Sequence, residues 1–170
     1  NEQFFVSWSW DFHRPKGYTK NAEAPTIFAR TVNKDLTLGR IFHLSGNKID
    51  SFPVLSKENT QNLWCAWDSS GWSRQDRANR KTLYVRALGT RGTVGKEFTI
   101  VKGLVNICSP CFAFNRNQKG ILTWSQTHNG KDWSLWKAEY DSERDLWKKP
   151  VFVLSEGNPR FGSCVYDPQG

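Results

Sequence analysis

One feature of this chain restricts its fold more than any other, namely an internal repeat with a period of about 52–57 residues. The tryptophans Trp10, Trp67 and Trp124 are 57 and 57 residues apart, and each ends a short apolar run. Three further sets recur with similar spacing: Phe28, Tyr84 and Trp136; Phe42, Phe98 and Phe152; and Pro53, Pro110 and Pro159. Because four independent landmarks agree, the chain is predicted to consist of repeated units.

The unit from residue 51 to residue 101 contains four short segments with the composition of β-strands. They are residues 52–55, 63–67, 83–87 and 97–101, which are rich in β-branched and aromatic residues and bounded by turn residues. Four strands in about 50 residues match one blade of a β-propeller. A β-sandwich also has closely spaced strands, but it does not require one pattern to return three times. We therefore predict an all-β fold, a β-propeller of four-stranded antiparallel blades.

The repeat divides the whole chain, residues 1–170, into parts of one propeller segment. Strands two to four of a first blade are predicted within residues 1–45, a second blade within 51–101, and a third blade within 109–155. Residues 159–170 are predicted to form the first strand of a next blade. Propellers have about 4–8 blades, so we expect an incomplete ring that further blades or another chain completes, with a strand-exchanging homodimer as one such arrangement.

The charge of the chain favours an anionic partner. Lys and Arg number 24 against 16 Asp and Glu, which gives a net charge of +8. The other interpretation of this excess is solubility alone. No RNA- or DNA-binding module pattern is visible, so nucleic acid is not the predicted partner, and no apolar run is long enough to predict a membrane span.

The four cysteines are Cys65, Cys108, Cys111 and Cys164. Only Cys108 and Cys111 have the CxxC spacing, and a zinc site of that type needs a second pair. We therefore predict no metal site and no cofactor, and the cysteines are interpreted either as buried free thiols or as disulfide partners. The nine tryptophans, with abundant Asn and Gly, favour a secreted or periplasmic protein.

Long connections between the second and third strands are predicted at residues 11–26 and 68–82, and a shorter one at residues 125–134. In a propeller these connections share one face with the connections from fourth to first strands, and ligand sites concentrate on such loops. Arg and Lys there would bind carboxylate, sulfate or phosphate, and aromatic rings would stack on sugars. The predicted ligand-binding residues are Arg14, Lys16, Tyr18, Trp72, Arg74, Arg77, Arg80 and Trp133. The alternative is that these loops are tolerated insertions with solvated charges.

Few residues qualify for catalysis. His13 and His128 lie in corresponding connections and are the only candidates for a general base of that type, both weak. Asp11 and Asp68 each follow a repeated tryptophan, a position that favours capping of a turn over acid catalysis. No nucleophile elbow, Walker loop or Rossmann glycine pattern is present.

The blade pattern resembles bacterial sialidase-like propellers with BNR-type repeats. The likeness is carried by residues 110–124, 135–155 and 159–170, with an initial proline, an aromatic strand ending in Trp, and Phe-x-Leu-Ser in the fourth strand. Residues 140–147 keep the Trp of the family's Asp-box but lack its Gly, and the Arg-Ile-Pro element is absent. The resemblance therefore implies the fold and assigns no catalytic residue.

These observations predict a ligand-binding module that recognises an anionic or carbohydrate partner through basic and aromatic loops on one face. Two alternatives stay open. The chain is part of a glycan-active enzyme, either a sialidase-like hydrolase or a polysaccharide lyase, or it is a structural subunit of a larger assembly.

Overall fold

The structure, a computed structural model, describes residues 3–10, 26–45, 49–57, 62–73, 78–89, 93–115, 117, 119–160, 162, 164 and 165. These residues form twelve β-strands. The strands are β1 Gln3–Trp10, β2 Thr26–Asn33, β3 Leu38–His43, β4 Ile49–Lys57, β5 Asn62–Ser73, β6 Ala78–Gly89, β7 Val94–Leu104, β8 Asn106–Phe114, β9 Gly120–Thr127, β10 Trp133–Asp141, β11 Leu146–Trp147 and β12 Val151–Leu154.

The strands form three antiparallel sheets, which we call sheets A, B and C. Sheet A has the order β1-β2-β3, and sheet B has the order β4-β5-β6-β7. Sheet C has the order β8-β9-β10, with β11 and β12 both paired to β10. None of the three sheets closes on itself. The predicted all-β fold with antiparallel sheets is confirmed, whereas the arrangement of these sheets as propeller blades stays a prediction.

Sheet B lies between sheets A and C, and its strand β5 contributes side chains to the cores on both sides. Every residue from Leu63 to Ser69 is buried. Trp64 and Ala66 belong to a core shared with sheet C, whereas Cys65 and Trp67 belong to a core shared with sheet A. Because side chains alternate between the two faces of a strand, a continuous apolar run supplies both cores, as expected for a strand covered on both sides.

The core between sheets B and C is rich in aromatic rings. The Trp64 ring lies 4.8 Å from the Tyr140 ring and 5.5 Å from the Trp147 ring, with interplanar angles of 62° and 89°. Phe98 of sheet B and Phe114 of sheet C lie 6.1 and 6.3 Å from the same ring. Edge-to-face pairs at these distances are favourable beyond the area that they bury.

The second predicted connection, residues 68–82, is largely strand, so the prediction of a long loop there is wrong. β5 continues to Ser73 and β6 begins at Ala78, with Trp72 paired to Asn79 and Ser73 paired to Ala78. The polar composition misled the prediction, because strand formation depends on the hydrogen-bonding ladder and polar side chains are compatible with a strand.

The third connection is also shorter than predicted, since β9 ends at Thr127 and β10 begins at Trp133. Thr127 Oγ1 accepts a hydrogen bond from the Gly130 N–H at 3.0 Å, and Asn129 Oδ1 accepts from the Lys131 and Asp132 N–H groups at 2.9 Å. Gly130 has φ of +80°, a conformation that favours glycine. These residues make a tight turn typical of Asn and Thr side chains that bond to nearby backbone.

Candidate functional site

Buried polar side chains concentrate at one end of the three sheets. Among the described residues, seven of the eight buried polar ones lie in the second half of β5, at the end of β9, at the start of β4, or after β3. We call this end the polar end, and its buried polar residues are Ser45, Asp50, Asp68, Ser69, Ser125, Gln126 and Thr127. The eighth, Thr31, lies near the opposite end of β2. Burial of polar groups costs free energy unless they are paired, so this concentration marks the polar end as the candidate site.

An ion pair lies between sheets B and C at the polar end. Asp68 is 3% exposed, and the Lys81 ammonium donates a short hydrogen bond to its carboxylate. Asp68 pairs with Leu83 across the ladder, and Leu83 packs in the core shared with sheet C. Burial raises the pKa of the Asp68 carboxyl, and the bond and charge of Lys81 oppose that shift. The pair thus places one positive and one negative group directly above the apolar core.

The chain after β12 covers the other face of sheet C, where Trp133 lies. The Trp133 backbone N–H donates to Asn158 Oδ1 at 2.7 Å. The Arg160 guanidinium lies 5.5 Å from the centre of the Trp133 ring, a cation–π distance. The Cys108 thiol donates to the Arg160 backbone oxygen. Together these contacts hold an exposed Arg160 side chain over a tryptophan that is 7% exposed.

Ser125 lies beneath this covered face. It pairs with Cys108 on one side and with Leu135 on the other, so the three side chains share a face. Ser125 is fully buried, and its Oγ finds no hydrogen-bond partner in the described part of the chain. The Trp133 Nε1 also lacks a partner among the residues that the structure describes. Both groups can donate to an oxygen acceptor.

Opposing effects act on the pKa of Cys108, which lies on this face. Burial raises the pKa of the Cys108 thiol, and the nearby Asp68 charge adds to the shift. The hydrogen bond from Ser109 and the positive charge of Arg160 act in the opposite direction. The Arg160 side chain is exposed, whereas Asp68 is buried and already paired with Lys81.

The predicted site residues fall into two groups. Six of them, His13, Arg14, Lys16, Tyr18, Arg74 and Arg77, lie outside the described residues. The other four are described at least in their backbone. His128 is exposed in the turn between β9 and β10, Arg80 is half-buried on β6, and the backbone of Trp72 pairs with Asn79 at the end of β5.

Trp133, the fourth, begins β10 at the polar end, where it is 7% exposed and its ring lies beneath the Arg160 guanidinium. The sequence reasoning missed Arg160, Ser125 and Lys81. Arg160 lies at the start of residues 159–170, directly after a connection from a fourth to a first strand. Such connections were predicted to lie on the ligand-binding face, so the sequence could have indicated Arg160. No sequence pattern indicated Ser125, because the burial of its hydroxyl depends on how the sheets pack.

A cavity lies at the opposite end of sheet C from the polar end. Its volume is about 630 Å³, and the residues that line it include Lys119, Glu139, Asp141, Glu143 and Lys148. Glu139 receives hydrogen bonds from Lys137 at 3.1 Å and Lys148 at 3.3 Å, and these bonds lower its pKa. Because its opposite charges already pair with each other, this cavity is a weaker candidate than the polar end.

No protein-family model, curated protein or solved structure matches this chain. Within the described ranges, no three His, Cys, Asp or Glu side chains are grouped so that they could hold a metal ion. Among the same residues there is no helix of the length and hydrophobicity that crossing a membrane requires.

Proposed function

We propose that the three sheets are blades of a β-propeller and that the polar end binds an anionic or carbohydrate ligand. The stacking of sheets A, B and C face to face supports the first part. In addition, β4 of sheet B contacts β8 of sheet C, and Arg160 and Cys164 lie beside β8. In a propeller, the first strand of each blade is expected to lie near the axis, beside the first strand of the next blade.

The observation that supports the ligand site is the combination of a cation with two buried donors that have no partner among the described residues. Arg160 lies over Trp133, and the Ser125 hydroxyl and the Trp133 indole N–H are buried on the same face. A buried donor without an acceptor costs about 1–3 kcal/mol, and a carboxylate or sulfate oxygen would relieve that cost while pairing with the guanidinium. Arginine is the side chain best suited to bidentate binding of such groups.

Binding of a sulfated glycan tests this proposal, with heparin as the probe and dextran as the uncharged control. Calorimetric titration should give heparin binding that weakens as salt is raised and no binding of dextran. Arg160→Gln should weaken heparin binding by about tenfold or more, as expected for the loss of a charged hydrogen bond.

Lys119→Gln is the matched control, because it removes the same charge from an exposed residue at the opposite end of sheet C. It should change the heparin affinity by less than about twofold, since it leaves the local contacts of the polar end intact. Equal weakening by the two variants would mean that only net charge matters. That result, or no heparin binding at all, would reject the proposed site.

Assembly is the second candidate function, and strand β12 favours it. Val151, Phe152, Val153 and Leu154 are all between 39% and 53% exposed, and in the described residues β12 pairs only with β10. An apolar strand with one open edge invites pairing with another strand. Light scattering of Val153→Lys tests this function, because a charge on that edge should reduce the particle mass only if the edge is an interface.

A further inference from the structure

Two of the four cysteines are in direct contact across a long separation in sequence. Cys111 lies on β8, and Cys164 lies in the segment that follows β12, 53 positions later. The Cys164 N–H donates to Cys111 Sγ at 3.3 Å, and the Cys164 thiol donates to the Cys111 backbone oxygen at 3.3 Å. These contacts place the two cysteines side by side, as formation of a disulfide requires.

The other two cysteines have different surroundings. Cys65 is fully buried on β5 and packs in the core between sheets A and B. Cys108 directs its thiol to the Arg160 backbone oxygen. Although Cys108 and Cys111 share a CxxC spacing, they lie on one strand and flank a register shift in its pairing with β9. The three-dimensional arrangement therefore favours Cys164 as the partner of Cys111.

We propose that Cys111 and Cys164 form a disulfide when the protein meets a small-molecule disulfide such as oxidised glutathione. One cysteine thiolate attacks the glutathione disulfide, releases one glutathione thiol and forms a mixed disulfide. The second cysteine then attacks the protein sulfur of that bond and releases the second glutathione. The two cysteines lose two electrons and two protons in total, and these appear in the two glutathione thiols.

The bond would fasten the chain after β12 to sheet C. Between Asn158 and Cys164, this chain also contacts sheet C through Arg160 over Trp133 and through Gly162, where an added Cβ would lie 3.3 Å from Leu135 Cδ1. A covalent link at Cys164 would keep Arg160 in place over Trp133. The inference does not depend on the proposed ligand, because it concerns the thiols alone.

The reaction is expected to be slow near neutral pH. Burial raises the pKa of the Cys164 thiol, and this effect outweighs the hydrogen bond with Thr123. Only the thiolate attacks a disulfide, so the rate of oxidation of the folded protein should rise as the pH is raised above neutral.

Peptide mapping tests the pairing. The folded protein is incubated with oxidised glutathione at mildly alkaline pH, its remaining thiols are blocked, and it is digested with trypsin without reduction. The expected product joins peptide 103–116, which contains both Cys108 and Cys111, to peptide 161–170. The intact mass should fall by about 2 Da, corresponding to the loss of two protons and two electrons.

Two variants separate the two cysteines of the first peptide. Cys108→Ser should keep the link, and Cys111→Ser should abolish it. Fragmentation of the wild-type linked peptide between Ser109 and Pro110 gives the same answer without any variant, so the test stands even if a variant fails to fold. A link from Cys108 to either partner, a stable glutathione adduct on Cys164, or four unmodified thiols would overturn the proposal.

Thermal unfolding supplies a second readout. A bond that closes a loop of about 50 residues should raise the melting temperature by about 10 °C in a chain of this size. The same oxidant should leave the melting temperature of Cys164→Ser unchanged. An equal rise in wild type and Cys164→Ser would show that the stabilisation comes from another bond.

Discussion

The packing of sheet B against sheet C can be tested by a double-mutant cycle on Trp64 and Tyr140. These rings come from different sheets and lie 4.8 Å apart at 62°. Trp64 is 1% exposed, and burial of a side chain of this size is worth about 4–6 kcal/mol. Because leucine recovers about half of that area term, Trp64→Leu should lower the free energy of unfolding by about 3 kcal/mol.

The coupling energy between the two rings is the quantity that reports on the interface. We expect Trp64→Leu and Tyr140→Leu to be non-additive by about 1 kcal/mol, the usual worth of an edge-to-face pair. Tyr140→Phe is the matched control, because it keeps the ring and removes the hydroxyl, which donates a 2.8 Å hydrogen bond to Asp145. Its effect should add to that of Trp64→Leu within about 0.5 kcal/mol.

Urea denaturation of the four proteins in each cycle measures these energies from the midpoints at constant slope. The single Trp64→Leu change should also lower the melting temperature by about 6–12 °C in a chain of this size. A coupling energy within about 0.3 kcal/mol of zero for the Leu pair would refute the face-to-face contact of sheets B and C.

Three further predictions concern single side chains. Ser125→Ala should leave the free energy of unfolding unchanged or raise it by about 1 kcal/mol, since it deletes a buried hydroxyl without a partner in the described residues; a clear loss in urea denaturation would show that the hydroxyl has one. Thr37 donates to Asp35 from its hydroxyl at 2.6 Å, so Thr37→Val should raise the lowered pKa of Asp35 toward 3.8 in an NMR titration. Lys148→Gln should raise the lowered pKa of Glu139. Because a lowered pKa gives stability that is lost as the pH falls below 4.5, this variant should lose less stability on acidification than wild type, and an unchanged pH profile would contradict the role of Lys148.

Part of the fold was predictable because strand patterns are local. The spacing of Trp67 and Trp124, and the apolar runs that precede them, predicted strands that the structure contains as β5 and β9. The ends of those strands were not predictable in the same way. Residues 69–73 are polar or small apart from Trp72, and they extend β5 only because residues 78–82 lie opposite them.

The candidate site was less predictable than the fold. The sequence named Trp133 and His128 as candidate site residues, and both lie at the polar end, but ligand binding there stays a prediction. It did not indicate Arg160 as the cation over Trp133, because that contact joins residues 27 positions apart through the path of the chain after β12. Nor did it indicate that Lys81 is already paired with Asp68.

The sequence by itself determined that the chain forms short antiparallel strands, because alternation of side chains and turn composition act over a few residues. Only the tertiary structure decided which face of each sheet is covered, which polar groups are buried, and which cysteines meet. Cys111 and Cys164 illustrate the reason. Their contact spans 53 positions, and such a contact depends on where whole sheets pack, which no local pattern encodes.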